Sequence, residues 1–152
     1  MLIKYLTKSS AQTRKKGRDF AKKITRQTRK KAVVLGLKGN LGGGKTTFIQ
    51  GFAKGLGIKE KILSPTFVIM RKFKAPSSIS KVFYHIDCYR IQKPKELLSL
   101  GFKEIISNPK NIVVIEWSDR IKKIMPKNSI WINFDFINIR KRKILFENFM
   151  LK

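Results

Sequence analysis

The residues best suited to chemistry in this sequence form a glycine-rich stretch that ends in a lysine and two threonines. The pattern G-x-x-x-x-G-K-[ST] is met by Gly39, Asn40, Leu41, Gly42, Gly43, Gly44, Lys45 and Thr46, with Thr47 following. Glycines let the backbone curl so that successive N–H groups point at phosphate oxygens. In such a loop Lys45 reaches the β- and γ-phosphates of a nucleotide, and the Thr46 hydroxyl binds Mg²⁺.

The elements around this loop come in the order that a phosphate site requires. The apolar, β-branched run 32–37 predicts a buried strand before the loop. After it, apolar residues at helical spacing predict a helix that Gly55 or Gly57 ends. Because this helix starts near Lys45, its positive N-terminal end faces the bound phosphates. The flanking strand and helix make a chance glycine-rich turn the weaker interpretation.

Two of the nine acidic residues fall at the ends of predicted strands. Asp87 ends the strand 81–87, and Glu116 lies at the end of the strand 111–117. Ligands of open α/β sheets bind at the carboxyl ends of the strands, so both acids are expected to face the Lys45 loop. A Mg-nucleotide enzyme needs a carboxylate for its metal, and Glu116 is the first choice. Asp87 is expected to orient the attacking water or to bind the metal through water. Each acid could instead cap a turn.

Other residues near these acids allow weaker interpretations. His85 lies on the same strand face as Asp87, and we expect it to be buried and hydrogen-bonded rather than catalytic. Arg90 could reach phosphate or a substrate, and Trp117 either covers the nucleotide or belongs to the core. The single cysteine, Cys88, excludes an internal disulfide and gives no support for thiol catalysis or a zinc site.

The rest of the pattern predicts one α/β domain over residues 1–152, with a mostly parallel sheet and antiparallel additions. The segment 62–73 begins as a turn at Ser64-Pro65 and becomes a strand, which is expected to pair in antiparallel fashion with the strand 81–87 across a polar insert at 74–80. The further predicted elements are a basic helix over about 10–28, a short helix from Pro94 to Gly101, a helical turn at 119–124, and strands at 129–136 and 144–149.

The charge of this chain is strongly positive. Its 35 Lys and Arg residues against 9 Asp and Glu residues give a formal charge of +26. This favours a polyanion partner, with RNA as the leading candidate, or else reflects a compositional excess of lysine. The helix over 10–28 allows the same two interpretations, and a solvated basic face is the favoured one. No apolar run approaches the roughly 20 residues of a membrane span, so we expect a cytoplasmic location and no membrane partner.

Missing motifs narrow the functional classes. No N-K-x-D or D-x-x-G segment occurs, which argues against a guanine-specific switch GTPase. The insert 74–80 is short for the lid of a monophosphate kinase, although Arg90 and Arg120 leave a small-molecule P-loop kinase open. A basic RNA-binding module with a vestigial P-loop is the third alternative.

Four motifs follow one another along the chain: the loop from Gly39 to Thr47, Ser64-Pro65-Thr66-Phe67, His85-Ile86-Asp87-Cys88-Tyr89-Arg90 and Glu116-Trp117-Ser118. In this order they resemble the motifs of a known family, the small bacterial P-loop ATPases of tRNA threonylcarbamoyladenosine biosynthesis called TsaE. Gln12 and Thr13 also resemble the start of the family, and the resemblance covers about 7–149.

The resemblance implies a P-loop NTPase-like three-layer α/β fold and a protein that binds and hydrolyses ATP with Mg²⁺. It also implies action on the complex of the threonylcarbamoyl transferase with its non-catalytic paralogue, which modifies adenosine 37 of tRNAs that read codons beginning with A. ATP turnover would reset that complex, activity alone would be weak, and tRNA would be met through the complex. Carried over by residue, Lys45 grips phosphate, Thr46 and Glu116 hold Mg²⁺, Thr66 lies in a switch, Asp87 supports hydrolysis, and Arg142 matches an arginine near the nucleotide.

Two loop residues depart from the family pattern. Asn40 stands where the family has aspartate, and Gly43 stands where it has alanine. We expect nucleotide binding to survive both changes, and the metal-site charge and the hydrolysis rate to be the properties at risk.

Overall fold

The computed structural model describes residues 2–39, 44–63, 68–76 and 82–148. A single mixed sheet with helices on both faces accounts for most of them. In chain order the elements are β1 (Leu2–Thr7), α1 (Ser10–Thr25), β2 (Val33–Gly39), α2 (Lys45–Gly55), β3 (Met70–Lys74), β4 (Val82–Asp87), α3 (Pro94–Leu98), α4 (Phe102–Ser107), β5 (Asn111–Glu116), a 3₁₀ helix (Ser118–Ile124), β6 (Ile130–Phe136) and β7 (Arg142–Glu147).

The strand order is β1-β7-β6-β2-β5-β4-β3. The central pairs β6–β2, β2–β5 and β5–β4 are parallel, whereas β3, β7 and β1 each pair in antiparallel fashion with their neighbours. This confirms the predicted α/β fold, with parallel strands at the centre and antiparallel additions at both edges. Because β1 runs in the same direction as the central strands, the last residues of β1, β2, β4 and β5 all lie at one edge of the sheet.

Helices cover the sheet in two layers. On one face, α1 and α2 bury Phe20, Phe48 and Phe52 against β2, β5, β6 and β7. On the other face, α3, α4 and the 3₁₀ helix bury Leu97 and Phe102 against β2, β4 and β5. Strands β2 and β5 are therefore covered on both sides, which explains their continuous apolar sequence.

Helices α1 and α2 cross with their backbones almost in contact. A Cβ atom added at Gly51 would lie 1.9 Å from the Arg14 carbonyl oxygen, and one at Gly17 would lie 2.1 Å from the Phe48 carbonyl oxygen. Only glycine allows so close an approach. The contact anchors α2, whose first turn carries Lys45.

Two helical predictions need correction. The helix predicted over 10–28 ends at Thr25, whose hydroxyl bonds back to the Ala21 carbonyl, while Thr28 is exposed and adds no apolar contact that would extend the helix. The single helix predicted from Pro94 to Gly101 is two helices, because Gly101 adopts φ +84 and buried Phe102 starts a second helix.

The strand predictions differ from the structure mainly at the chain ends. Strand β1 was not predicted, since it is an edge strand on which Leu2 and Leu6 are exposed and the apolar alternation is weak. The last strand spans Arg142–Glu147 rather than 144–149, and Asn148 leaves it with a positive φ of 64°. The predicted antiparallel pairing of β3 with β4 is confirmed, although β3 begins only at Met70.

None of the helices in the four described ranges has both the length and the apolar character needed to cross a lipid bilayer.

Candidate nucleotide-binding site

The ends of three parallel strands bring the predicted acids together. Glu116 is in register with Leu37 of β2 on one side and with Asp87 of β4 on the other. Both carboxylates are 3% exposed. Buried carboxylates are costly unless cations, hydrogen-bond donors or metals face them, so this edge of the sheet is built to receive positive charge.

His85 supports Glu116 directly. Its Nε2 lies 2.7 Å from Glu116 Oε2, and the imidazole is completely buried beside the parallel ring of Phe83. This confirms the prediction of a buried, hydrogen-bonded histidine. Within the described residues His85 Nδ1 has no hydrogen-bond partner, so a ring that carries its proton on Nε2 fits this environment. Nε2–H then donates to the carboxylate and fixes its orientation.

Two backbone groups, the Tyr89 N–H and the Ile69 carbonyl, hold Asp87 in place. Its Oδ1 accepts a hydrogen bond of 2.9 Å from the Tyr89 N–H, and its own N–H donates to the Ile69 carbonyl at 2.7 Å. Ile69 has φ +63, a conformation that β-branched residues rarely adopt. The Asp87 backbone is thus tied to the segment that follows the predicted switch.

Lys45 is the first residue of α2 and is only 7% exposed. Its ammonium donates to the Gly39 carbonyl and lies 4.4 Å from the centre of the Trp117 ring. Burial lowers the pKa of Lys45, and the charges of Glu116, Asp87 and Asp119 oppose that shift. Lys45 therefore lies within electrostatic reach of three acids, with its ammonium over the Trp117 ring.

The N-terminus of α2 begins at Lys45. Its N-cap is Gly44, which has φ +98 and, among the described residues, no side-chain capping hydrogen bond. Thr46 and Thr47 follow in the first turn and are partly exposed. A helix N-terminus of this kind attracts phosphate through its N–H groups and its dipole.

Arg142 and Thr13 both lie beside this N-terminus. A Cβ atom added at Gly44 would be 3.7 Å from Arg142 Cγ and 3.5 Å from Thr13 Cγ2. The Arg142 guanidinium donates to the Asn138 carbonyl at 2.6 Å and stacks on Phe136. Thr13 is buried and its hydroxyl lies 2.8 Å from that of Thr7. The fold thus places Thr13, which the sequence analysis noted only as resembling the start of the family, next to Gly44.

Several predicted site residues lie outside the described residues. They are Asn40, Leu41, Gly42 and Gly43 of the loop and Thr66 of the predicted switch. Their roles therefore stay predictions.

The described donors fit Mg²⁺. Across the described ranges no group of three or more His, Cys, Asp or Glu side chains is arranged to hold a metal ion. Mg²⁺ does not need such a cage, since it keeps several waters and uses one or two carboxylates together with substrate phosphates. Glu116 and Asp87 are two such carboxylates in register at the strand ends, and the binding of Mg²⁺ by Glu116 and Thr46 stays a prediction.

The remaining candidates take minor places. Cys88 is buried, and burial, followed by the charges of Asp87 and Asp119, raises the pKa of its thiol to about 12, so it stays protonated. Arg120 is exposed, and its guanidinium lies over the rings of Tyr89 and Trp117. Ser118, the last residue of the Glu116-Trp117-Ser118 motif, is buried and its hydroxyl donates to the Leu37 carbonyl at 3.1 Å, which joins the ends of β2 and β5.

Replacing His85 with alanine is expected to weaken Mg·ATP binding by about 10- to 100-fold, because Glu116 loses the donor that orients it. Replacing it with glutamine restores an N–H donor and should recover part of the affinity. Isothermal titration calorimetry with Mg·ATP measures both. Tyr84→Phe, on the neighbouring position of β4, is the control that should bind normally. Equal binding by His85→Ala and the control would show that Glu116 needs no such support.

Comparison with known proteins identifies relatives of this chain. A family model described as "Threonylcarbamoyl adenosine biosynthesis protein TsaE" matches residues 7–144. The TsaE protein of Haemophilus influenzae is 33% identical over 120 residues, covering 79% of this chain and 73% of that protein. The TsaE protein of Rickettsia typhi is 36% identical over 139 residues, covering 90% of this chain and 92% of that protein.

The fold itself is similar to that of a solved structure. The crystal structure of YdiB from Bacillus subtilis has a TM-score of 0.72 and 29% sequence identity, covering 96% of this chain and 84% of YdiB. The motifs, the strand order and the sequence relatives point the same way. The chain belongs to the TsaE family of threonylcarbamoyl adenosine biosynthesis proteins.

Proposed function

We propose that this protein is a Mg²⁺-dependent ATPase required for threonylcarbamoyladenosine formation at position 37 of tRNAs that read codons beginning with A. It would act on the threonylcarbamoyl transferase and its non-catalytic paralogue, and would meet tRNA through that complex. The observation that supports the proposal is that Glu116 and Asp87 lie side by side at the strand ends, where their charges act on Lys45 in the first turn of α2.

The chemistry follows from the places of these residues. Lys45 and the first N–H groups of α2 would bind the β- and γ-phosphates and stabilise the charge that develops during transfer. Thr46 and Glu116 would hold Mg²⁺, which supplies further neutralisation of the phosphate oxygens. Asp87, whose backbone is held by Ile69, would orient the attacking water.

A direct test measures ATP hydrolysis by the protein alone and with the purified transferase complex and tRNA. We expect slow release of inorganic phosphate by the protein alone and a clear stimulation by the complex. Transfer of the γ-phosphate to a nucleoside, nucleotide or sugar acceptor would instead favour a small-molecule kinase. RNA binding that is insensitive to ATP, without any hydrolysis, would favour an RNA-binding module with a vestigial loop.

Replacing Glu116 with glutamine is expected to lower the hydrolysis rate by about 10²- to 10³-fold, in the range found when one transition-state contact is removed. Glutamine keeps an oxygen that accepts from His85 Nε2, so the change removes the charge and little else. Steady-state phosphate release at increasing Mg²⁺ measures the effect, and the Mg²⁺ requirement should rise.

Glu147→Gln is the control for this substitution. Glu147 is a partly buried strand-end acid on β7 that accepts from Asn133, and it lies outside the nucleotide site. If Glu116→Gln has an unchanged hydrolysis rate and an unchanged Mg²⁺ requirement, Glu116 is not a metal ligand.

A further inference from the structure

A cleft of about 220 Å³ lies between α1 and the edge strand β1. None of its lining residues belongs to the nucleotide site described above. Its walls come from Tyr5 on β1, Lys16, Phe20 and Lys23 on α1, and Phe146 on β7. We call it the α1–β1 cleft.

The inner walls of the α1–β1 cleft are aromatic. The Tyr5 ring packs edge-on against the Phe146 ring, with 5.7 Å between the ring centres, and the centres of the Phe146 and Phe20 rings are 4.9 Å apart. Both phenylalanines are buried, whereas Tyr5 is partly exposed. Nucleobases stack on such side chains with little regard to sequence, since every base has a π-face.

The rim of the cleft is cationic. The Lys16 ammonium lies 3.9 Å from the centre of the Tyr5 ring, and Lys23 stands two helical turns further along α1. Lys15, Lys22 and Arg26 continue the positive charge on the exposed side of the helix. A row of cations beside an aromatic cleft is the arrangement by which proteins hold single-stranded nucleic acid.

Little negative charge opposes these cations. Between residues 14 and 31 there are ten Lys or Arg residues and one acid, Asp19. Asp19 lies on the rim, where it bonds to Lys15 at 3.1 Å. With that carboxylate compensated, the net charge facing the cleft comes from Lys16 and Lys23.

We propose that the α1–β1 cleft and the cations of α1 form a binding surface for single-stranded RNA. A base would stack against Tyr5 in the cleft, and the adjoining phosphates would contact Lys16 and Lys23. This interaction needs neither ATP nor the nucleotide site, so it stands independently of the proposed ATPase.

The test is a matched pair of double variants in an RNA-binding titration without nucleotide. Lys16→Ala/Lys23→Ala removes two charges at the cleft, whereas Lys122→Ala/Lys123→Ala removes two exposed charges from the 3₁₀ helix on the other side of the sheet. Fluorescence anisotropy with a labelled oligouridine and with a tRNA transcript, over a series of salt concentrations, gives the affinity and its salt dependence.

We expect Lys16→Ala/Lys23→Ala to bind RNA about tenfold or more weakly. The slope of log K against log salt should fall in magnitude by about 1.4, because each of the two lost phosphate contacts contributes roughly 0.7. The control should lose less than about twofold. Tyr5→Leu should lower the affinity about fivefold or more with an unchanged slope, since it removes stacking and no charge. Thermal unfolding checks that every variant is folded.

Equal losses in the two double variants would overturn the proposal, since binding would then follow total charge and not a site. Binding to phosphatidylserine vesicles more tightly than to RNA would overturn it in favour of a membrane surface. Lys45→Ala should bind RNA normally, so failure of the ATPase and failure of the RNA surface are distinguishable.

Discussion

Replacing Lys45 with alanine is expected to reduce ATP hydrolysis by about 10³-fold and to weaken nucleotide binding strongly. The ammonium belongs to the first turn of α2, donates to the carbonyl of Gly39 at the start of the predicted loop, and sits in a largely buried site where a charge interaction is strong. Phosphate release and calorimetric titration with Mg·ATP measure the two effects separately.

The matched control is Lys54→Ala on the same helix. Lys54 is exposed in the last turn of α2, so the change removes one lysine charge and leaves the phosphate site untouched. Its hydrolysis and binding should match the unmodified protein. If Lys45→Ala binds Mg·ATP as well as Lys54→Ala does, Lys45 is not a phosphate ligand and the proposed ATPase function fails with it.

Replacing Gly51 with alanine is expected to lower the free energy of unfolding by about 3 kcal/mol, near the upper end for overpacking a tight contact. Its new Cβ would lie 1.9 Å from the Arg14 carbonyl oxygen, so α1 and α2 must separate along their crossing. Alanine in a helix is about 1 kcal/mol more favourable than glycine, so a measured loss of stability would mean that the steric clash outweighs this gain. Chemical denaturation with urea measures the free energy of unfolding.

Gly101→Ala is the matched glycine-to-alanine control. Gly101 has φ +84, but its nearest neighbour is 3.7 Å from the added Cβ, so only backbone strain of about 1 kcal/mol is expected. A Gly51→Ala protein that is as stable as the unmodified one would mean that the two helices do not approach as closely as the structure has them. Because α2 carries Lys45, we also expect weaker nucleotide binding in Gly51→Ala.

The departure at Asn40 bears on both the loop and the metal. The chain supplies few acids, and the sheet brings Glu116 and Asp87 into register with each other at the strand ends. With asparagine at position 40, the loop contributes no carboxylate of its own there, so the charge available to a metal rests on the strand ends. We therefore expect the Mg²⁺ requirement for hydrolysis to depend mainly on Glu116, which the Glu116→Gln variant tests.

The sequence by itself determined the local parts of the site. The glycine pattern around Lys45 needs no tertiary information, because its spacing is fixed within one strand–loop–helix unit. The apolar runs that precede Asp87 and Glu116 identified them as strand-end acids, because a buried strand is a continuous apolar run of limited length. The antiparallel β3–β4 pair was also predictable, since its strands are consecutive in the chain.

The rule for open α/β sheets predicted that both acids face the Lys45 loop, whereas only the tertiary structure decided which strands are neighbours. The order β6-β2-β5-β4 puts Glu116 between Leu37 and Asp87, and no periodicity in the sequence encodes the order of non-consecutive strands. The bond from His85 to Glu116 depends on that order, as the two residues lie on adjacent strands that are distant in sequence.

The same holds for the residues around the N-terminus of α2. Thr13 and Arg142 approach Gly44 only because β1 and β7 extend the sheet and α1 packs against α2. Local spacing sets what a residue can do, since it follows from backbone geometry over a few residues. The long-range packing of the sheet determines which partners each residue contacts, since those contacts join segments that are far apart in the chain.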